Sequence, residues 1–321
     1  MDAKLIVSAS PHVRAPESTR SLMGNVIIAL APCVVASAII FGWRALLLTA
    51  VTVASCVGFE WLYCKLMKKP IPVGDLSAVV TGLILAMNFP VSLPIGEAIV
   101  GAFIAIVLVK QLFGGIGMNF ANPALVGRIA LFSGFSSAMT NWVYPDAAVD
   151  QLSSATPLQV ADPSRLSLLD LFMGVHGGVM GETCALAILI GFVYLVVTKT
   201  ISPAIPVTYL ATVAVMSLLA GRDPMVQLLS GGLLFGAVFM ATDYVTSPVT
   251  KKGEVIFGIG CGLLTVFIRY FGGYPEGVSY SILIMNCCVW LIDKIGKPNR
   301  YGVTKEMKAA AKAAKKAGKE G

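Results

Sequence analysis

Charge is what this 321-residue sequence has least of: Asp, Glu, Lys and Arg together make up 13% of it, about half the roughly one quarter usual in soluble domains. A water-soluble fold of this size cannot cover itself with so few charges, and a disordered chain is excluded with it. Histidine is nearly absent. His12 and His176 lie far apart in the chain, so no histidine-based metal centre, and no metal site of any kind, is expected. The seven cysteines form no CxxC pair. Cys33, Cys56, Cys184, Cys261, Cys287 and Cys288 sit inside apolar segments and Cys64 near the end of one, which reads as small buried hydrophobes rather than a disulfide framework or an iron–sulfur ligand set. No P-loop, GxGxxG fingerprint or catalytic triad occurs. A nicotinamide-binding domain and a self-contained hydrolase are excluded.

What the sequence has in abundance is apolar surface: 56% hydrophobic residues and a mean hydropathy of +0.81. The fold class is therefore an all-α, polytopic membrane protein. About 20 apolar residues cross a bilayer core, and spans are expected near 22–42, 45–66, 75–89, 95–113, 120–135, 183–200, 204–220, 226–243, 254–272 and 279–295. Ten spans return both termini to one side. The net charge of +7 does not mark a nucleic-acid groove, because seventeen of the 24 basic residues lie in the first 20 residues, at Lys65 to Lys69, at Lys251-Lys252 and in the tail from Lys294. The positive-inside rule then places both termini in the cytoplasm, with Arg44, Arg165, Arg222 and Arg269 as outside exceptions. The first apolar stretch starts after about twenty mixed polar residues, so no cleavable signal is expected.

Two spans are short. Residues 75–89 and 120–135 are flanked by Pro70, Pro72, Pro90 and Pro94 and by Gly114, Gly115, Gly117 and Pro123. Either they are tilted spans in thinned bilayer, or they are broken helices meeting at a midplane site. An internal echo 154 residues apart relates TGLILAMNFPVSLP to FGAVFMATDYVTSP. Five spans per half is an odd number, so such halves run through the membrane in opposite senses. The expected organisation is a cytoplasmic segment 1–21, a first five-helix repeat 22–135, an extracytoplasmic loop 136–182, an inverted second repeat 183–295 and a basic cytoplasmic tail 296–321.

The long loop carries Asp150-Gln-Leu-Ser-Ser-Ala-Thr156. This string resembles the Ser/Thr-Gly-Ala-Thr flavin-attachment sequence of two related membrane subunits. These are the D subunits of Rnf-type ion-translocating ferredoxin:NAD oxidoreductases and the B subunits of Na+-pumping NADH:quinone reductases. GGIGMNFANPALVGR (Gly114 to Arg128) and FMATDYVTSP (Phe239 to Pro248) are similar to two further signatures of the same family. The chain length favours the Rnf D subunits, and Ser154 stands where the motif has Gly. The resemblance implies a urea-channel-like fold and FMN joined to Thr156 as a phosphoester by a separate flavin transferase. Ser153, Ser154 and Ala155 would form the small-residue run around it. A run of this kind lets a phosphate approach backbone amides.

Asn119 and Asn122 are candidates to satisfy backbone at a helix break or to bind cofactor. Arg128, inside an apolar helix, is a candidate for flavin phosphate or for a carboxylate of the other half. Asp243, with Thr242, Thr246 and Ser247, is a candidate ion-pathway or second-flavin site, the relatives suggesting a noncovalent flavin such as riboflavin. Glu60 and Lys110 also lie in apolar context, toward inner ends, and are candidates for a role in ion passage. Glu97 and Glu182 are expected to be solvated at outer ends, and the Gly258xxxGly262 spacing reads as helix packing.

The resulting expectation is one subunit, inactive alone, of a translocase in a prokaryotic inner membrane that moves electrons from ferredoxin to NAD+ and exports Na+ or H+. Its partners would be a second flavinylated subunit, small membrane subunits and soluble iron–sulfur and NADH-reactive subunits. A passive channel or transporter of urea-channel-like fold, a B subunit of a quinone reductase and a non-redox scaffold are the alternatives.

Overall fold

The computed structural model describes residues 18–143, 168–174, 176–182, 184–272, 277–296 and 307. All regular structure among them is helical. Four helices are long and apolar enough to cross a membrane: α1 (Thr19–Phe41), α2 (Trp43–Leu66), α12 (Lys251–Phe271) and α13 (Val278–Gly296). Between them come α3 (Ser77–Met87), α4 (Ile95–Phe103), α5 (Pro123–Gly134), α6 (Ser136–Met139), α7 (Leu168–Met173), α8 (Ala185–Val197), α9 (Ala204–Leu219), α10 (Pro224–Leu229) and α11 (Leu233–Phe235). α4 runs on as a π-helix over Ile104–Gln111 and α11 as a second over Gly236–Met240.

The helix starts follow local chemistry. The Ser18 hydroxyl accepts from Ser21 N–H at 3.1 Å, the Asn122 side chain from Ala124 N–H at 3.1 Å with Pro123 following, and the Thr250 hydroxyl from Gly253 N–H at 3.1 Å. Each supplies an acceptor for an orphan donor of the first turn. Inside the apolar helices, hydroxyls bond back one turn, as Thr49 does to the Ala45 carbonyl, Thr81 to Ser77 and Thr212 to Thr208. A hydroxyl satisfied within its own helix can lie in hydrocarbon at little cost.

α1 packs on α8, α5 on α13 and α12 closely on α9. Gly262 makes the last contact possible: a Cβ there would lie 2.6 Å from the Thr212 Cβ and 3.2 Å from the Tyr209 carbonyl. At the same three-helix junction the Tyr209 hydroxyl meets Thr265 Oγ1 at 2.6 Å and Ser281 Oγ at 3.1 Å, joining α9, α12 and α13 through a closed set of hydroxyls. The Gly258xxxGly262 spacing is thus a packing device, as its small-residue pattern implies.

The expected spans 75–89 and 226–243 are not continuous helices. The first is α3, which stops at Met87; the second is split into α10, α11 and a π-helix by Ser230, Gly231 and Gly232. The freed backbone groups are met by side chains and by a strap. Arg44 donates to the Val91 carbonyl at 2.9 Å and to that of Ser92 at 3.2 Å. Arg269 donates to the carbonyls of Gln227 (2.7 Å), Ser230 (2.9 Å) and Gly231 (3.3 Å). Arg222 lies 4.4 Å over the Tyr270 ring. These are three of the four arginines expected as exceptions to the positive-inside rule, and each is held by a contact within the protein.

The strap is the segment 176–182, buried along its length. Met180 N–H donates to the Phe89 carbonyl at 3.0 Å and Gly181 N–H to the Met87 carbonyl at 2.7 Å, so it seals the end of α3. A Cβ on Gly181 would lie 2.6 Å from the Met87 Cβ and 2.9 Å from its carbonyl oxygen. We expect Gly181→Val to cost about 2–3 kcal/mol by forced displacement of this backbone pair. The drop in thermal midpoint of the detergent-solubilised protein measures it. Gly134→Ala, with nothing within 4 Å of the added carbon, is the neutral control.

Candidate functional site

Three polar constellations among the described residues gather the candidate site residues. The first surrounds the end of α3. Arg128, on α5 and 3% exposed, donates from Nη1 to Asn88 Oδ1 and to Ser279 Oγ, both at 3.0 Å. Asn88 in turn donates to the Ile84 carbonyl at 2.7 Å and faces the Met240 sulfur at 3.4 Å. One guanidinium therefore joins the break after α3 to the start of α13. Glu182, expected to be solvated, is instead 5% exposed, because the strap that carries it folds inward. Its carboxylate and Arg128 approach the same glycine: a Cβ on Gly232 would be 3.7 Å from Glu182 Oε2 and 4.0 Å from Arg128 Nη1. His176 lies on the same strap, 3.7 Å from the corresponding point at Gly178.

The second constellation lies where α5 begins. Asn122, besides capping α5, donates to the Met240 carbonyl at 3.3 Å, while Asn119 donates to the Ala121 carbonyl at 2.9 Å. Asn122, Thr242 and Asp243 come together around a cavity of about 50 Å³. The Thr242 hydroxyl is bonded to the Val238 carbonyl, Thr246 donates to Asp243 Oδ2 at 3.0 Å, and Tyr244 donates to the Thr200 carbonyl. Ser247 sits in the same turn, its N–H bonded to the Asp243 carbonyl at 3.1 Å. Sites that enclose small-molecule ligands measure about 300–1,000 Å³, so this cavity is small beside them.

The third is only partly legible in the sequence. Glu60 on α2 is fully buried and pairs with Lys110 at 2.7 Å, the two side chains 0% and 4% exposed. Lys110 also donates to Ser77 Oγ at 2.6 Å, and the Ser77 hydroxyl donates to Asp75 Oδ1 at 2.5 Å. Gln111 donates to Glu60 Oε1 at 2.8 Å, and the other carboxylate oxygen, Oε2, has no hydrogen-bond partner among the described residues. Lys110 and Gln111 are consecutive, yet both reach Glu60. In a regular α-helix they would point 100° apart; here they close the π-helix that follows α4, and a widened turn re-aims side chains in this way. The apolar context points to Glu60 and Lys110, but Ser77, Gln111 and Asp75 carry no separate signal. The Asp-x-Ser spacing of Asp75 and Ser77, an ordinary capping pattern, is the nearest one.

Ser153, Ser154, Ala155 and Thr156 lie outside the described residues. Their loop ends on the strap that seals α3, which fixes its return to the Arg128 constellation.

The chain matches the model of the NQR2, RnfD, RnfE family over residues 6–302. It belongs to the NQR2, RnfD, RnfE family. Within this family it is 50% identical to the D subunit of the Na+-translocating ferredoxin:NAD+ oxidoreductase complex of Acetobacterium woodii, over 96% of this chain and 99% of the relative. It is 40% identical to the D subunit of the proton-translocating ferredoxin:NAD+ oxidoreductase complex of Clostridium ljungdahlii, over 92% and 96%. It is 37% identical to the D subunit of the ion-translocating oxidoreductase complex of Stutzerimonas stutzeri, over 89% and 92%. Coverage this complete places both signatures, the loop between them and all three constellations inside the shared region of the RnfD members.

The buried pair sets a stability test. Removing one partner of a buried ion pair strands the other charge and costs about 3–5 kcal/mol, whereas replacing both by apolar or neutral groups is close to neutral. We expect Lys110→Met alone to lower the thermal midpoint sharply and Glu60→Gln/Lys110→Met to recover most of the loss, as read by the thermal unfolding of the purified protein.

Proposed function

We propose that the chain is the D subunit of an ion-translocating ferredoxin:NAD+ oxidoreductase, an integral-membrane flavoprotein that relays electrons and is inactive without its partners. The observation that carries this reading is near-full-length similarity to proteins named as D subunits of such complexes, half of all residues being identical in one of them. Its partners are, on this reading, a second flavinylated subunit, small membrane subunits and soluble iron–sulfur and NADH-reactive subunits, with a flavin transferase needed for maturation.

The redox group is FMN, attached through its phosphate to the Thr156 hydroxyl. When bound it supplies the electron-transfer chemistry, and the protein supplies position and environment. Two features support this assignment. Ser153, Ser154 and Ala155 form a small-residue run that lets a phosphate approach the backbone, and the loop returns through a strap anchored to α3 beside Arg128 and Glu182.

The transmembrane body is read as two inverted five-helix repeats, α1 to α5 and α8 to α13. First helix packs on first, α1 on α8, and last on last, α5 on α13, the pairing expected about a pseudo-two-fold axis. The two broken elements, α3 and the α11 π-helix, also fall at the 154-residue offset of the sequence echo. Both termini are placed in the cytoplasm and the flavin loop outside the membrane of a prokaryotic cell. The coupling ion is Na+ or H+. Its passage is assigned to the inner-end polar groups Glu60, Lys110 and Asp243, since charges buried at membrane depth mark ion pathways.

Co-expression with a matching flavin transferase tests the flavin assignment. The denatured protein should give a fluorescent band and a mass increased by one FMN-phosphoryl group, both absent in Thr156→Ala. A dark, unmodified band beside an active transferase would remove the redox role and favour a channel of the same fold. The ion is read in vesicles of the whole complex. Ferredoxin-driven 22Na+ uptake that survives a protonophore identifies Na+, and its collapse identifies H+. Glu60→Gln should keep the fluorescent band and reduce uptake by at least about tenfold.

A further inference from the structure

The buried Glu60–Lys110 pair is not enclosed by apolar side chains alone: a hydroxyl leads away from it. Lys110 Nζ lies 2.7 Å from Glu60 Oε1 and donates to Ser77 Oγ at 2.6 Å, and the Ser77 hydroxyl donates to Asp75 Oδ1 at 2.5 Å. Both donated hydrogens point the same way, from the pair toward Asp75. Lys110 and Ser77 are 3% and 6% exposed, whereas Asp75 is partly exposed, in the 3-10 turn Val73–Asp75 beside exposed Gly74. The series therefore runs from the interior to the surface. Each of its links has an ionised group at one end, which is why all of them are short.

A helix cap and an ion pair account for the parts but not for their junction. As a cap, Asp75 needs only to accept from the Ser77 N–H, which it does at 2.8 Å. As a counter-ion, Lys110 needs only Glu60. The lysine nevertheless sits on the hydroxyl that the cap orients, carried there by the widened turn of the π-helix. Glu60 adds an asymmetry: Oε1 accepts from Lys110 and from Gln111 (2.8 Å), while Oε2 has no hydrogen-bond partner among the described residues. Cys56 and Cys64 of α2 and Asp243 also lie within reach of the Lys110 charge, but none stands in the series. Cys64 donates to Gln111 Oε1 at 3.8 Å, and Asp243 accepts from Thr246.

We propose that Lys110, Ser77 and Asp75 form a proton relay that connects buried Glu60 to solvent at the lysine-rich end of α2. The inference rests on the ion-passage reading of Glu60 and Lys110 and adds to it the carrier, the exit and two residues, Ser77 and Asp75. In the relay the Lys110 Nζ–H bond breaks as a Ser77 Oγ–H bond forms, and the original Ser77 hydrogen passes to the Asp75 carboxylate. Ammonium and carboxylate become amine and carboxyl, so no net charge is created. Asp75 then gives its proton to water, and the Ser77 hydroxyl turns back. A hydroxyl both accepts and donates, so nothing else has to move. Glu60 is left without its cation, and a proton taken up from water at the open Oε2 restores a neutral pair, since an uncompensated buried charge is costly. The reverse series reloads Lys110.

The hydrogens of the Lys110 ammonium report the relay directly. The full-length chain, labelled with nitrogen-15 at lysine Nζ and held in lipid nanodiscs, is followed by NMR as these hydrogens exchange with water. The Lys110 signal is the one missing from Glu60→Gln/Lys110→Met. We expect Ser77→Ala to slow the exchange at least about tenfold, a positioned proton-transfer group being worth about 10²–10⁴-fold, and Ser77→Thr to restore it. Asp75→Asn keeps an oxygen for the Ser77 N–H but takes no proton; it should slow the exchange likewise, and it carries the test where the alanine variant does not fold. A merely structural hydroxyl predicts the opposite, because losing its bonds loosens the site and admits water. Exchange in Ser77→Ala as fast as in the unaltered chain, or faster, would overturn the proposal, and so would slow exchange that Ser77→Thr fails to restore. The measurement needs no ferredoxin, flavin or partner, so it is separate from ion uptake by the complex. Unchanged exchange in Ser77→Ala beside reduced uptake in Glu60→Gln would end the relay and leave the ion-passage reading standing.

Discussion

Everything in this architecture depends on one constraint: inside hydrocarbon, a backbone N–H or C=O must find its partner within the protein. Straight helices meet it automatically. This chain does not keep to straight helices, ending α3 at Met87 and interrupting the segment after α10 at Ser230 to Gly232, and each interruption frees carbonyls at depth. Arg44 and Arg269 bond to those carbonyls. Asn122 turns its oxygen to the first turn of α5 and its amide to Met240. The strap from the long loop covers Met87 and Phe89 with its own N–H groups, and Gly181 is the residue that lets it approach. Polar side chains that look functional in an apolar sequence are, in large part, the means by which the breaks are tolerated.

The polar groups that remain once the breaks are sealed are informative. Asp75 meets the Ser77 N–H at the start of α3, but Glu60, Lys110 and Gln111 seal no break. They belong to a charged set in which one carboxylate oxygen has no partner among the described residues, held by a π-helix that itself sacrifices regular hydrogen bonding. An ion pair at this depth gains little over an apolar pair of the same volume, so stability does not account for its presence. The wide turn that brings Lys110 and Gln111 to the same carboxylate is an additional cost laid on the first. Two costs that fall on the same residues point to function more strongly than either does alone.

The sequence made the solvent legible, and with it the class of fold: with 13% charge there is no soluble solution. Helix starts carry a local signal, because Ser18, Asn122 and Thr250 act within three residues of themselves, although the expected spans began at 22, 120 and 254 where the helices begin at Thr19, Pro123 and Lys251. The three long-range features were not. Glu182 reads as a loop-end carboxylate until the strap is seen to fold inward, and nothing local to it predicts Met87 as the strap's partner. Arg44 and Arg269 read as exceptions to a charge rule, since the carbonyls they serve lie about 40 or more residues away. The Glu60 set joins α2, α3 and the end of α4, and a π-helix leaves no periodic signature in eight residues. Apolar patterning states which faces avoid water; it does not state which buried polar groups will meet.

The strap carries the remaining step of synthesis. It is the last stretch of the segment that contains Thr156, and it ends not at the surface but against the break in α3, within reach of Arg128, Asn88 and Ser279. The α3 break is therefore held from three directions, by α5, by α13 and by the loop. The strap and the Arg128 guanidinium act on the same short stretch of backbone. At its other end α3 begins at Ser77, whose hydroxyl receives Lys110. One eleven-residue helix thus has the loop at one terminus and the buried ion pair at the other, about 16 Å apart at 1.5 Å per residue. Two sites linked by a rigid element this short, each tied to it by hydrogen bonds of 2.6–3.0 Å, share its position. A shift of α3 along its axis would be felt at both ends at once, so the strap and the buried ion pair are mechanically joined through one helix.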